Sequence, residues 1–259
     1  MGSSFDCDRL TVTSDEIRIR HYPEVVAGGF TRVDGTIQFY SRVLALLPEG
    51  GMVLEFGAGR GANILEDKAP YRQQLRTLKG RGCTVFGVDV DPVVLENPFL
   101  DEARVIASGE PLPFADGTFG MIVSDYVFEH VPDPEWLAGE LGRVLKPGGW
   151  ICARTPNKWS LLGMMIRMIP NRHHVQVLKE VQPDRKAVDV FPTTYRLNSL
   201  SALRRHFPET HWLHASHSFD AEPSYAGNSD PLWYAFRILF RLSPRAFRSN
   251  LFIFMKKLG

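Results

Sequence analysis

The stretch VLEFGAGRG, residues 53–61, decides the fold. Val53, Leu54 and Phe56 form the end of an apolar run suited to a buried strand, and three glycines follow at once. Glycine lets a backbone turn sharply and come close to a neighbouring group. A strand ending in so bare a turn points to a ligand lying across the strand tip, the usual place in open α/β sheets.

Working outward, TIQFYSRVLALLPEGG before the strand spaces its apolar residues as a helix and closes on Pro48 and two glycines. Downstream, short apolar runs recur in CTVFGVDV, ARVIAS, FGMIVSDYV and GGWICART, separated by helical or turn-like segments. Such alternation predicts a parallel sheet covered on both faces. THWLHASHSF and NLFIFMKKL add two more strands. Between these, DPLWYAFRILFRL reads as a helix with Asp230 as N-cap and Pro231 at the first helical position. One domain over 1–259 is expected, with a cofactor core at 36–157, a cap or substrate-recognition insertion at 158–198, and helices and last strands at 199–259.

The chain has 259 residues, 44% of them hydrophobic, and its 30 Lys plus Arg nearly balance 29 Asp plus Glu, for a net charge of +1. That balance gives little global attraction to nucleic acid. Cys7, Cys83 and Cys152 fall in no metal-ligand or disulfide spacing, so reduced thiols and a cytoplasmic setting are expected. The start, MGSSFDCDRL, carries no export or acylation pattern, and no apolar run is long enough to span a bilayer. Trp233, Arg237 and Arg241 share a helical face, which suits either a membrane surface or, the preferred reading, a helix packed on the sheet with arginines at its edge.

The glycines alone leave the ligand open. Gly57 to Ala62 satisfies the loose dinucleotide pattern, and Asp89, which ends the second strand, lies 28 positions (89 − 61) beyond Gly61. That is somewhat later than the roughly 20 residues usual for a dinucleotide site. A nicotinamide oxidoreductase therefore remains a reading, but it leaves LPFADGTF and RVLKPGG unexplained.

Taken as an ordered set over residues 50–157, VLEFGAGRG, VFGVDVDP, LPFADGTFGMIVSDYVFEHVPDP and RVLKPGGWICARTPN resemble class I S-adenosylmethionine-dependent methyltransferases, most closely the ubiquinone-biosynthesis-like branch. The resemblance implies a doubly wound, seven-stranded, mostly parallel sheet with an antiparallel last strand and a helical cap after the fifth strand. It places S-adenosylmethionine against Gly57, Ala58, Gly59 and Gly61, with Glu55 near its amino group and Asp89 on the ribose hydroxyls. Val90 would touch adenine, Ser108 and Gly109 would meet the adenine edge, and Ser124 or Asp125 would line the methionyl side. Ser108 stands where the family commonly has Asp, and Glu110 is the residue that could substitute.

Methyl transfer to a hydroxyl calls for a general base. His130, in FEHVPDP, is the candidate, because similar sugar and small-molecule O-methyltransferases place a catalytic His in this loop; a structural histidine at a helix entry is the competing reading. Glu129 would orient the cofactor or the imidazole. The segment from TPNKWSLL to PTTYRL resembles methyltransferases of bacterial polysaccharide or glycoside biosynthesis. It implies a sugar, glycan or hydroxylated-metabolite acceptor, with His173, His174, Asp189, Tyr195 and Arg196 as binders. A small aromatic, quinone or lipid acceptor, and a non-catalytic cofactor-binding protein, are the alternatives. Adjacent histidines on a helix point about 100° apart and seldom ligate one ion, so no metal is expected.

Overall fold

The computed structural model describes residues 14–161, 163–164, 192–223 and 228–259. Strands β1 (Met52–Phe56), β2 (Thr84–Asp89), β3 (Glu102–Val105), β4 (Phe119–Asp125) and β5 (Leu145–Pro156) lie parallel in the order β3-β2-β1-β4-β5. The final strand β8 (Asn250–Lys257) runs antiparallel beside β5, pairing Asn250 with Pro156. The beginning of β8 therefore sits at the tips of the parallel strands, where ligands bind in such sheets.

One correction concerns the strand count, which is eight rather than seven among the described residues. THWLHASHSF forms two short strands, β6 (Trp212–His214) and β7 (His217–Phe219), both paired with β8. The break lies at Ala215 and Ser216. Ala215 N–H donates to the Phe254 carbonyl at 2.8 Å, and the Ser216 hydroxyl accepts from Phe254 N at 3.1 Å. A side chain thus replaces one rung of the backbone ladder and the edge strand bulges.

Alternation along each strand feeds two cores. Val53, Val85, Met121, Val123, Cys152 and Phe254 pack on helices α2 (Gly35–Ala45) and α4 (Pro70–Arg76). Leu54, Val88, Ile122, Ile151 and Ile253 face the other way, onto α5 (Pro134–Val144) and α6 (Leu200–His206). Both faces are buried, as parallel strands require. A one-turn helix α3 (Ala62–Leu65) follows the glycine turn. Side-chain caps start α2, α5 and α6: Asp34 accepts from Thr36 N and Ile37 N, Asp133 from Glu135 N and Trp136 N, and Ser199 from Ala202 N.

Helices α1 (Ser14–His21) and α7 (Asp230–Leu242) pack together through Ile17, Tyr22, Trp233 and Phe236. The expected cap for α7 is wrong. Ser229 occupies the cap position and makes no side-chain bond there. The Asp230 carboxylate instead accepts from Arg20 and His21, each at 2.7 Å, and long-range cations win over local capping. The partner surface also differs from expectation, because the buried face of α7 lies on α1 rather than on the sheet. No helix among the described residues is long and apolar enough to cross a membrane.

Candidate functional site

The glycine turn is closed by packing and held by Asp89. A Cβ on Gly57 would lie 2.3 Å from Val127 Cγ2, and Gly57 adopts φ 75°, so both space and backbone conformation require glycine there. Asp89 Oδ2 accepts from Gly59 N at 2.9 Å, while Oδ1 accepts from Asp91 N at 3.0 Å. Each oxygen keeps acceptor capacity for a ligand hydroxyl. Asn97, which sequence reasoning missed, donates Nδ2 to the carbonyls of Ala58 and Gly59 at 3.2 and 3.0 Å, tying down the opposite side of the loop. Val90 stands 50% exposed beside Asp89, an apolar surface open to a flat ring. Ser108, Gly109 and Glu110 form an exposed turn after β3.

At the tip of β4 two candidates, Ser124 and Asp125, lie side by side, and Asp125 meets a residue that was not foreseen, Arg154. Ser124 is buried and donates to the Phe56 carbonyl at 3.1 Å, so it fastens β4 to β1. Asp125 is gripped by Arg154, 4% exposed, through Nε and through Nη2, the latter at 2.8 Å from Oδ2. Tyr40 also donates its hydroxyl to Asp125 Oδ2 at 3.2 Å. The Arg154 guanidinium reaches Thr36 Oγ1 at 3.2 Å and lies over the rings of Tyr126 and Phe39. Burial alone would raise the Asp125 carboxyl, but Arg154 and the Tyr40 hydroxyl outweigh it and hold it below its ordinary value.

Among the described residues Glu55 has no such cation. Burial, reinforced by the Asp125 carboxylate, pushes its carboxyl up to about 8. The cofactor-free protein therefore keeps a proton on Glu55 between the unfolded value near 4.5 and about pH 8, and stability falls as pH rises through that window. Glu55→Gln is expected to leave melting unchanged at pH 4 and to raise it above wild type at pH 9, as thermal denaturation at the two pH values will read. A ligand cation placed against Glu55 supplies the missing partner.

His130 and Glu129 sit just past β4, against the segment 192–198. His130 Nδ1 lies 2.9 Å from the Pro192 carbonyl, which can only accept, so Nδ1 carries the proton and the neutral ring has its lone pair on Nε2. Nε2 is 4.0 Å from Glu129 Oε1. Glu129 is buried, its Oε2 accepts from Thr155 Oγ1 at 2.7 Å, and burial raises its carboxyl above the ordinary range. Asn198 donates to the same Thr155 hydroxyl, and the Glu129 carbonyl accepts from Thr194 N and Tyr195 N. Tyr195 takes up φ 52°, a left-handed conformation costly for a bulky residue, within this contact. Arg196 is exposed. His173, His174 and Asp189 lie outside the described residues, as does most of the expected cap. Among the described residues no cluster of His, Cys, Asp or Glu could hold a metal ion.

A glycine turn anchored to an acidic strand end, an apolar flank and a buried carboxyl thus meet at the sheet tip. The strand order with its antiparallel last strand is that of the class I methyltransferase fold. A family model described as a methyltransferase domain matches residues 30–208, and the chain belongs to that family. An uncharacterised methyltransferase of Mycobacterium sp. strain JLS is 38% identical over 105 residues, 39% of this chain and 37% of that protein. A ubiquinone biosynthesis O-methyltransferase of Thiobacillus denitrificans is 27% identical over 117 residues, 42% of this chain and 46% of that one. The chain thus spans less than half the length of these curated relatives. A sarcosine dimethylglycine methyltransferase assignment belongs to a solved Galdieria sulphuraria structure that shares the fold at TM-score 0.52 and 18% identity, over 86% of this chain and 85% of that one. A geranyl diphosphate methyltransferase structure superposes at TM-score 0.51 with 17% identity over the same shares.

Proposed function

We propose that this chain is an S-adenosylmethionine-dependent O-methyltransferase whose acceptor is a sugar, glycan or related hydroxylated metabolite, with His130 as general base. When bound, S-adenosylmethionine supplies a methyl already activated on a sulfonium. Gly57, Ala58, Gly59 and Gly61 would seat it, Asp89 would accept from its ribose hydroxyls, and Glu55 would face its amino group. Positioning of an in-line nucleophile can supply roughly 7–11 kcal/mol of the barrier.

The observation that carries the hydroxyl acceptor is the tautomer fixed on His130. Its Nδ1–H is committed to Pro192, so Nε2 is the nitrogen that takes the acceptor's proton as the hydroxyl oxygen becomes an ether. Glu129 Oε1, 4.0 Å from Nε2, stands beside the ring on this side. Tyr126, 39% exposed, and Trp159, 49% exposed, follow the tips of β4 and β5 and offer flat faces suited to a sugar ring.

Methyl transfer from radiolabelled S-adenosylmethionine to a panel of hydroxylated glycosides tests the proposal. His130→Gln is expected to lower turnover about 100-fold with cofactor affinity unchanged, the lower end of what a positioned base contributes. Unchanged turnover removes His130 from the mechanism. A relative that is a ubiquinone biosynthesis O-methyltransferase supports a phenolic acceptor as the second reading. A phenol gives up its proton more readily than a sugar hydroxyl, so a loss well below 100-fold on phenols would favour it. Failure of every acceptor despite tight cofactor binding would point to a non-catalytic protein.

A further inference from the structure

Helix α7 has two apolar faces, and among the described residues only one is packed against the rest of the fold. Trp233 and Phe236 are 4% and 7% exposed against α1. On the opposite side Tyr234, Ile238 and Leu242, at i, i+4 and i+8, are 61%, 44% and 74% exposed. Phe247, in the turn after the helix, is 37% exposed. A contiguous apolar stripe left in water contributes nothing to folding and marks a contact surface.

The charge around the stripe has one sign. Residues 231–249 hold four arginines and no Asp or Glu, in a chain of net charge +1. Arg237 is turned inward, donating to His21 Nδ1 at 2.9 Å, and Arg248 lies 3.9 Å from Asp220. Arg241 and Arg245 are exposed, and among the described residues no carboxylate pairs with either. We propose that Tyr234, Ile238, Leu242 and Phe247, bordered by Arg241 and Arg245, dock this protein on an anionic phospholipid surface.

Three observations favour a lipid surface over a protein. Apolar side chains edged by arginine, with a tyrosine at the boundary, match the layered polarity of a bilayer interface. Pairing this face with a second copy about a two-fold axis would bring like cations together without an acidic counterpart. The patch also adjoins the working end of the sheet. Asn157, just past β5, donates to the carbonyls of Ala246 and Arg248 at 2.9 and 2.8 Å, and the Tyr126 hydroxyl donates to Asn250 Oδ1 at 3.1 Å. Docking there brings the cofactor end of the sheet towards the membrane, a role independent of which group is methylated.

Co-sedimentation of the full chain with vesicles tests this, using mixed phosphatidylcholine and phosphatidylglycerol against phosphatidylcholine alone. Binding to the anionic vesicles that falls as salt is raised is expected. Arg241→Gln with Arg245→Gln should weaken it about 25-fold, since each surface cation contributes about fivefold. Ile238→Gln with Leu242→Gln should weaken it by at least about tenfold while the variant still melts cooperatively, because both positions lie on the exposed surface. Absence of binding, equal binding to neutral vesicles, or binding indifferent to both double variants overturns the proposal. So does a concentration-dependent dimer, seen by light scattering, that Ile238→Gln with Leu242→Gln breaks, because the occupant is then a second copy. Cofactor titration of the same variants separates this outcome from failure of the methyltransferase reading.

Discussion

Arg154→Ala is expected to destabilise the cofactor-free protein by about 3–5 kcal/mol, the usual cost of removing one partner from a buried ion pair. Arg154 is 4% exposed and both of its bonds to Asp125 lie inside the molecule. Removing the guanidinium strands the carboxylate, leaves Tyr40 and Thr36 each with a weakened network, and opens a void under the rings of Phe39 and Tyr126. The pH dependence follows from the direction of the Asp125 shift. In wild type that carboxyl is held low, so its contribution is present above the unfolded value and is lost as pH falls through the folded one. In the variant only Arg76 and the Tyr40 hydroxyl still oppose burial, so the carboxyl rises, and the deficit is widest at neutral pH and shrinks on acidification. Denaturant unfolding at pH 7 and pH 4 reads both. Asp125→Ala combined with Arg154→Met should recover at least half of the loss, because an apolar pair is far cheaper to bury than a lone charge. A deficit independent of pH would mean that lost packing, not the stranded charge, sets the cost.

That pair also shows what the sequence made legible and what it did not. The glycine turn, Asp89 and the apolar strand runs are local patterns, and the structure puts them together as the patterns imply. Arg154 lies in the apolar run ICART, which reads as a strand and nothing more; its partner, Asp125, is on the neighbouring strand, and that pairing is set by the sheet register. Asn97 offered no signal at all, since its bonds to the Ala58 and Gly59 carbonyls depend on a loop returning from 39 and 38 residues away. Asp230 was misread for a related reason. Its spacing suits a cap, yet Arg20 and His21, more than 200 residues distant, take its oxygens. The sheet edge failed through one hydroxyl: Ser216 substitutes for a backbone group and splits a strand that alternation reads as continuous. Local pattern reports what a residue can do, and tertiary contact decides which of those options it takes.

Asp89→Ala is expected to weaken S-adenosylmethionine binding by about 10²–10⁴-fold, the largest single effect on ligand affinity. Two hydrogen bonds from ribose hydroxyls to a charged acceptor are each worth roughly 1.5–3 kcal/mol, and tenfold in affinity corresponds to about 1.4 kcal/mol. The carboxylate also has partners within the chain: Oδ2 holds Gly59 N and Oδ1 holds Asp91 N. Alanine therefore loosens the turn as well as removing the acceptor. Asp89→Asn separates these contributions: its amide oxygen can still receive Gly59 N, while the NH2 group replaces one acceptor by a donor and removes the charge. Calorimetric titration with S-adenosylmethionine and S-adenosylhomocysteine should then rank wild type above Asn and Asn above Ala, with both ligands following the same order because the ribose is common to them. Equal affinities for all three proteins would mean that the ribose is held elsewhere. Reduced nicotinamide dinucleotide in place of these ligands gives the complementary result, since binding of that compound, lost on the same substitution, would return the site to the oxidoreductase reading that the glycine spacing alone left open.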